Sequence, residues 1–337
     1  RPRVPASSSL PLIIVNPASA GGATGAGWAR AASDLREHFG AFGCAFTKGA
    51  GDARLIAARE ARAGRRLIVA CGGDGTISEV AGGIIESGAD AELGVLPGGT
   101  GGDFRRTLRM PTRTRDAARA LVDGRTVRID AGRVEFEGQA GGRETRNFVN
   151  VASCGMGGEV IRRVREGDAA SLAARGANLF GGRASYALAS ARAALSFENP
   201  RLRVCLDDGR ARRLVVANLC VANARYFGGG MKIAPGAVLT DGLFDVVAVG
   251  DLHALSILTN AHRLYLGTHL RMSQVHQARA RRVSVSVADE SRVKVLLEVD
   301  GELVGGLPAT FEILPAALRV RVPAQASAPS PRKFSRT

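Results

Sequence analysis

Apolar and polar residues fall in short alternating blocks along the first third of the chain. Leu10–Val15 is an apolar run ending at Asn16-Pro17, with Gly21-Gly22, Gly25 and Gly27 beyond it. That pattern predicts a buried strand entering a glycine-rich loop. Ala29–Phe39 is spaced as a helix, Cys44–Thr47 reads as a second strand, and Gly51-Asp52-Ala53 opens a helix over Ala53–Ala63 with Asp52 as its N-cap. Leu67–Cys71 predicts a third strand, Ile77–Glu86 a helix, Leu93–Leu96 a fourth strand and Asp116–Val122 a last helix. Strand, loop and helix repeated in this order predict a parallel sheet with helices on its faces, an α/β lobe over residues 10–128.

The texture then changes. Strand-like pieces dominate from about Arg128: Gly132–Phe136, Phe148–Ala152, Leu202–Leu206, Arg213–Val221, Leu243–Val249, Val283–Val287, Val293–Val299 and Leu318–Val322. Val283–Val287 alternates with period two, as a half-exposed strand does. Helical stretches interrupt at Ala184–Leu195 and Leu252–His269. The expectation is a second, mainly antiparallel, β-sandwich-like lobe over 129–306, with a polar, basic, Pro/Ser-rich tail at 324–337 that reads as disordered.

Composition narrows the partners. The 337 residues are 45% apolar and 23% charged, enough for two packed lobes. The longest apolar runs, such as Leu214–Ala224, fall well short of the ~20 residues of a spanning helix. Lys+Arg 46 against Asp+Glu 31 gives +15, a balance that favours anionic partners. No zinc-finger spacing, RNA-binding aromatic motif or basic zipper is present, so no specific nucleic acid is expected. Five singly scattered cysteines without a C-x-x-C argue for reduced thiols in a cytoplasmic protein, and Arg1–Ser9 has no apolar core of a signal peptide.

The chemistry concentrates in two loops. In Leu67–Glu79 (LIVACGGDGTISE) a buried strand runs into Gly-Gly-Asp-Gly-Thr and a helix follows at once. Bare backbone and unpaired helix N–H groups suit a phosphate. Asp74 in its midst repels phosphate, and makes sense if a divalent cation screens the two or if it holds a water or a ribose hydroxyl. A second loop, Leu96–Phe104 (LPGGTGGDF), follows the next strand and should open at the same carboxyl edge as the first loop and Asn16. There is no P-loop signature, no G-x-G-x-x-G after a strand, no protein-kinase H-R-D or D-F-G and no G-x-S-x-G elbow.

Val15-Asn16-Pro17, Thr47 with Gly51-Asp52-Ala53, CGGDGTISEV and LPGGTGGDF follow one another in this order. Further on come Asn147–Val151, Gly228-Gly229-Gly230-Met231, Asp241–Asp245 and Asp300-Gly301-Glu302. Together, over roughly Leu12–Pro323, these segments resemble the diacylglycerol kinase catalytic domain family. The bacterial soluble lipid kinases are the nearest branch, sphingosine and ceramide kinases are relatives, and NAD kinases are distant ones. The resemblance implies ATP- and Mg2+-dependent phosphate transfer to a lipid hydroxyl, diacylglycerol giving phosphatidic acid. It implies two lobes with the nucleotide between them, and a segment 307–323 returning to the first lobe. Carried over by position, Asn16, Thr47, Gly72, Gly73, Asp74, Gly75, Thr76, Ile77, Ser78 and Thr100 would touch ATP. Asp74, Asp103 and Asp130 would form an acidic, water-linked magnesium network. Asp241 with the carbonyls of Val238 and Leu243 would hold a structural Mg2+, and Asp300 and Glu302 would supply the general base, both on one strand face if the strand runs through them. Ser78 and Gly102 stand where the family carries Asn, a departure that predicts altered nucleotide contacts.

Two readings stand beside the lipid kinase: a soluble-substrate kinase of the NAD kinase kind, and a nucleotide- or lipid-binding module of weak turnover. For the lipid kinase, +15 suits peripheral association with an anionic membrane, where the lipid substrate lies, and a homodimer is compatible with the sequence. The arginines at 105, 106, 109, 113 and 115 suit a solvated face or a phosphate or lipid contact. His262, His269 and His276 read as solvated or capping groups, and Asp207-Asp208-Gly209 as a hairpin turn.

Overall fold

A computed structural model describes residues 10–165, 197–288 and 294–324. The first lobe runs β1 (Leu12–Val15), α1 (Ala23–Ala26), α2 (Trp28–Phe39), β2 (Gly43–Phe46), α3 (Asp52–Arg62), β3 (Leu67–Gly72), α4 (Asp74–Ser87), β4 (Glu92–Pro97), α5 (Asp103–Thr107) and α6 (Thr114–Val122). Its strands pair in parallel in the order β2-β1-β3-β4. Every side chain of β1 and β3 is buried, which is why both read as unbroken apolar runs.

The second lobe holds β5 (Arg125–Gly138), β6 (Arg143–Phe148), β7 (Val151–Gly155), α7 (Met156–Arg165), β8 (Arg201–Leu206), β9 (Arg212–Val215), β10 (Asn218–Ala222), β11 (Phe244–Val249), α8 (Ala254–Leu266), β12 (Val275–Ala280), β13 (Arg282–Val287), β14 (Leu296–Val299) and β15 (Glu302–Val322). Nearly all its pairings are antiparallel. Phe148 stacks on Phe244 at 5.7 Å and meets Phe311 edge-on at 6.4 Å, filling its core. The twenty-one residues of β15 join the lobes. It leaves β14 antiparallel, runs along β5 and β13, and ends parallel to β4 with Arg319 opposite Glu92 and Val320 opposite Leu93.

Several expectations are corrected. Asp52 is the first residue of α3, not its cap, and its carboxylate accepts the Lys48 N–H at 2.7 Å. The open N–H groups of Gly51 and Ala53 bond instead to Glu79 on α4, at 2.7 and 3.0 Å. The single strand expected over Phe148–Ala152 is two, because the Val149 and Asn150 N–H groups are drawn off by Asp300. Arg213–Val221 likewise divides into β9 and β10. Leu252–His269 contracts to α8, stopped by Gly267 at φ +75°. The sequence reading did not predict α5, α7 or β12. The expected helix at Ala184–Leu195, Val293, the arm Arg1–Ser9 and residues 325–337 lie outside the described residues.

Candidate active site

The loops after β1, β3 and β4 meet at one edge of the parallel sheet. Asn16 Nδ2 donates to Thr76 Oγ1 at 3.1 Å, and the hydroxyls of Ser19 and Thr24 each lie 2.6 Å from the Gly98 carbonyl. Thr47 is buried beside them, its N–H on the Val15 carbonyl at 2.9 Å. The glycines at the centre are required by the protein itself. A Cβ on Gly99 would stand 2.3 Å from Gly73 Cα, and one on Gly98 would stand 2.7 Å from Gly72 N. The two loops therefore lie backbone on backbone, a packing that any larger residue breaks. Thr100 is exposed at the rim, whereas Ile77 belongs to the hydrophobic core.

Asp74 has a structural duty that the sequence reading did not give it. Its two oxygens accept the N–H groups of Asp103 and Phe104 at 3.1 and 3.0 Å, capping α5 from a different helix. Asp103 in turn accepts the Gly229 N–H at 2.8 Å and pairs with Arg106 at 2.7 Å. Burial, then the neighbouring Asp74 charge, pushes the Asp103 carboxyl up. Asp130 is apart from this pair: it accepts the N–H groups of Gly242 and Ala316 at 2.7 and 2.8 Å. The Asp241 carboxyl, raised by burial, accepts the Leu243 N–H at 3.2 Å and has Arg279 3.5 Å away.

Asp300 and Glu302 do not share a strand face. Asp300 sits in a left-handed turn at φ +49°, and its buried carboxylate accepts three backbone N–H groups: Val149 at 3.0 Å, Asn150 at 2.9 Å and Val151 at 3.0 Å. Burial pushes its pKa up, while Ser78 and the backbone donors pull it back. Ser78 Oγ is buried beside it, without a hydrogen bond of good geometry. Glu302 begins β15, and its carboxylate is exposed to a different stretch of α4. Its Oε1 lies 3.0 Å from where a Cβ on Gly75 would be, over the first glycine loop, and its Oε2 pairs with Arg146 at 2.6 Å.

Sequence reasoning missed Arg146 and Glu298. Arg146 is one polar residue in a polar strand, and nothing local marks it. Glu298 is buried two residues before Asp300, bonded to the Ser153 hydroxyl at 2.7 Å and the Gly301 N–H at 3.0 Å. Burial pushes its carboxyl up to about 7. A charged residue within an apolar strand was its one available signal.

Among the described residues, no cluster of three or more His, Cys, Asp or Glu side chains is disposed to hold a metal ion. Asp74 and Asp103 do sit close enough for one charge to disfavour the other, and both are committed to N–H donors. That suits a hydrated cation held through its waters better than direct ligation. At Asp241 the Arg279 guanidinium already supplies the positive charge. A cavity of about 350 Å³ between Arg213, Val215 and His276 includes none of these residues.

The description "Diacylglycerol kinase catalytic domain" matches residues 11–134, and "YegS C-terminal NAD kinase beta sandwich-like domain" matches residues 164–322. A diacylglycerol kinase of Mycobacterium tuberculosis is 30% identical over 276 residues, covering 81% of this chain and 82% of its own. The chain belongs to the diacylglycerol kinase family. A diacylglycerol kinase of Staphylococcus carnosus is 29% identical over 280 residues, 82% of this chain and 83% of the relative. In fold, the chain is similar to a crystal structure of a diacylglycerol kinase from Bacillus anthracis, with a TM-score of 0.67 at 19% identity over 94% of this chain and 98% of that one. The family is one of lipid kinases, which use ATP, and its two matched segments fall on the two lobes. Among the described residues no helix is long and apolar enough to cross a membrane.

Proposed function

We propose that this chain transfers the γ-phosphoryl group of ATP to the free hydroxyl of a lipid, diacylglycerol giving phosphatidic acid, with Glu302 as the general base. The observation that carries the reading is the position of the Glu302 carboxylate: half-buried, over bare backbone at Gly75, in the loop best suited to phosphates. In the transfer, the lipid oxygen bonds to the γ-phosphorus, the bond from that phosphorus to the β–γ bridging oxygen breaks, and ADP leaves. The hydroxyl proton passes to a Glu302 oxygen. Asn16, Thr47, the loop Gly72–Thr76, Ser78 and Thr100 hold the nucleotide; Ile77 contributes through its backbone. Arg146 orients the base. Asp300, with its oxygens spent on three N–H groups, acts as a positioning residue that fixes the turn from which Glu302 projects. Asp74 and Asp103 would hold Mg2+ through its waters, and the ion would neutralise charge on the phosphates. Asp130, through the Gly242 and Ala316 N–H groups, and Asp241, through the Leu243 N–H and Arg279, brace the second lobe behind them.

Radiolabelled ATP with Mg2+, mixed micelles of several lipids and NAD in parallel test this. Label in diacylglycerol is expected, lost by about 100-fold or more in Glu302→Gln with unchanged ATP binding. Label in NAD alone would transfer the chain to soluble substrates. ATP binding without label anywhere would make it a binding module.

A further inference from the structure

Helix α8 presents a face that the second lobe does not cover. Leu255 is 71% exposed and Leu266 65%, and Tyr265 is 51% exposed at the border. Leu255, Thr259, His262 and Leu266 are all exposed and recur at the i, i+4, i+7, i+11 spacing of one helix stripe. The opposite face is committed: Leu264 packs with Phe227, Leu270 and Met272 on the core that includes Ile233 and Val247.

Basic residues outnumber acidic ones in the segment that carries this stripe. Residues 252–288 include no Asp or Glu, yet hold four of the chain's five histidines and five arginines. His253, His262 and Arg271 are exposed around the helix. At the helix's C-terminal end the Lys232 N–H bonds to the Leu264 carbonyl at 2.8 Å, and Lys232 Cδ lies 3.4 Å from where a Cβ on Gly267 would be. Asp251 precedes the helix, and Arg279 and Arg282 are paired with Asp241, Asp245 and Glu312, so the positive charge beside the stripe comes from Lys232 and Arg271 near its C-terminal end. An apolar stripe with cations at its border complements a surface that is anionic outside and apolar beneath. One segment, residues 225–237, touches both the helix, through the Lys232 N–H on the Leu264 carbonyl, and the candidate active site, through the Gly229 N–H on Asp103.

We propose that the exposed stripe of α8 is the surface by which this protein docks on an anionic lipid bilayer, Leu255 and Leu266 entering the acyl boundary with Tyr265 at the interface. The proposal deepens the lipid-kinase reading and rests on it for why a bilayer is engaged. Docking here sets the glycine loops and Glu302 close to the headgroup layer, so that a lipid hydroxyl needs to leave the bilayer only slightly to meet them.

Co-sedimentation of the full chain with phosphatidylcholine vesicles, with and without phosphatidylglycerol, tests it. The wild type should partition at least about tenfold better onto the anionic vesicles. Leu255→Ser with Leu266→Ser should lower that partition by about tenfold or more, and Thr259→Leu, which widens the stripe, should raise it several-fold. Both variants should still phosphorylate a short-chain diacylglycerol dispersed in water. Equal partition of wild type and double variant would overturn the proposal. So would a wild-type dimer that ignores vesicles and that the double variant dissolves, which would make the stripe a contact between copies. The two readings fail separately: vesicle binding that follows these variants without label in any lipid defeats the kinase, and lipid label with unaltered vesicle binding by the variants defeats the docking face.

Discussion

Three acidic residues lie within five positions, and the fold gives each a different environment. Glu302 faces the glycine loop with an arginine beside it, Asp300 is wrapped in backbone N–H groups, and Glu298 is buried against Ser153. The sequence shows Asp-Gly-Glu and so marks the segment; only burial and hydrogen bonding separate a base from a brace. Glu298 carries a pH signature. Its carboxyl titrates at about 7 in the folded chain against 4.5 for an ordinary glutamate, raised first by burial and further by the Asp300 and Asp103 charges, against the Ser153 and Gly301 bonds. The folded state therefore holds a proton that the unfolded state has released between these values, and stability contributed by this group is full below 4.5 and falls as pH rises to about 7. The loss is on the order of 3 kcal/mol. Urea unfolding of wild type and Glu298→Gln from pH 5 to 8 should show the variant gaining relative stability with pH; a difference that does not change with pH would refute this.

At the scale of elements, the glycines of the two loops were legible as glycines and not in their purpose. Their clustering after strands pointed to a bound phosphate, and the structure shows that Gly98 and Gly99 are also needed where one loop crosses another. Gly99→Ala should cost on the order of 1–3 kcal/mol in thermal or urea unfolding, because the added carbon meets backbone that cannot swing aside. An alanine there that melts as wild type would show that the loops have room. Gly102 differs: it occupies the left-handed region at φ +66°, and its Cβ position faces the flexible Arg105 side chain at 3.1 Å. Asn tolerates that region better than other residues, so the Gly for Asn departure keeps the backbone of the loop. Helix α5 escaped the sequence reading because five residues have no period to read, and their cap is Asp74, twenty-nine positions away.

Across the whole molecule, the lobes are held by β15 and by a buried polar relay. Asp130 bonds to Gly242 and Ala316 through its carboxylate, to the Leu239 carbonyl through its N–H, and to Asn223 through its carbonyl. Asn223 also donates to the Val149 carbonyl at 2.9 Å, beside the N–H groups that hold Asp300. Asp130→Ala removes the charged acceptor of the Gly242 and Ala316 N–H groups and should lower stability by about 1–2 kcal/mol, read as a lower midpoint in urea. A variant as stable as wild type would show that the strand alone sets the lobes together.

The sequence by itself determined the α/β alternation of the first lobe, the β-rich second lobe, the two glycine loops and the family. Each of these is written in local period and composition, which a chain carries before it folds. The tertiary structure alone decided that Glu79 and Asp74 cap helices other than their own, that burial raises the Glu298 carboxyl, that Asp300 is spent on backbone N–H groups while Glu302 stays open over Gly75, and that α8 leaves an apolar stripe uncovered. Those are contacts between residues far apart in the chain, and burial, which sets their charge and their chemistry, exists only once the chain has closed around them.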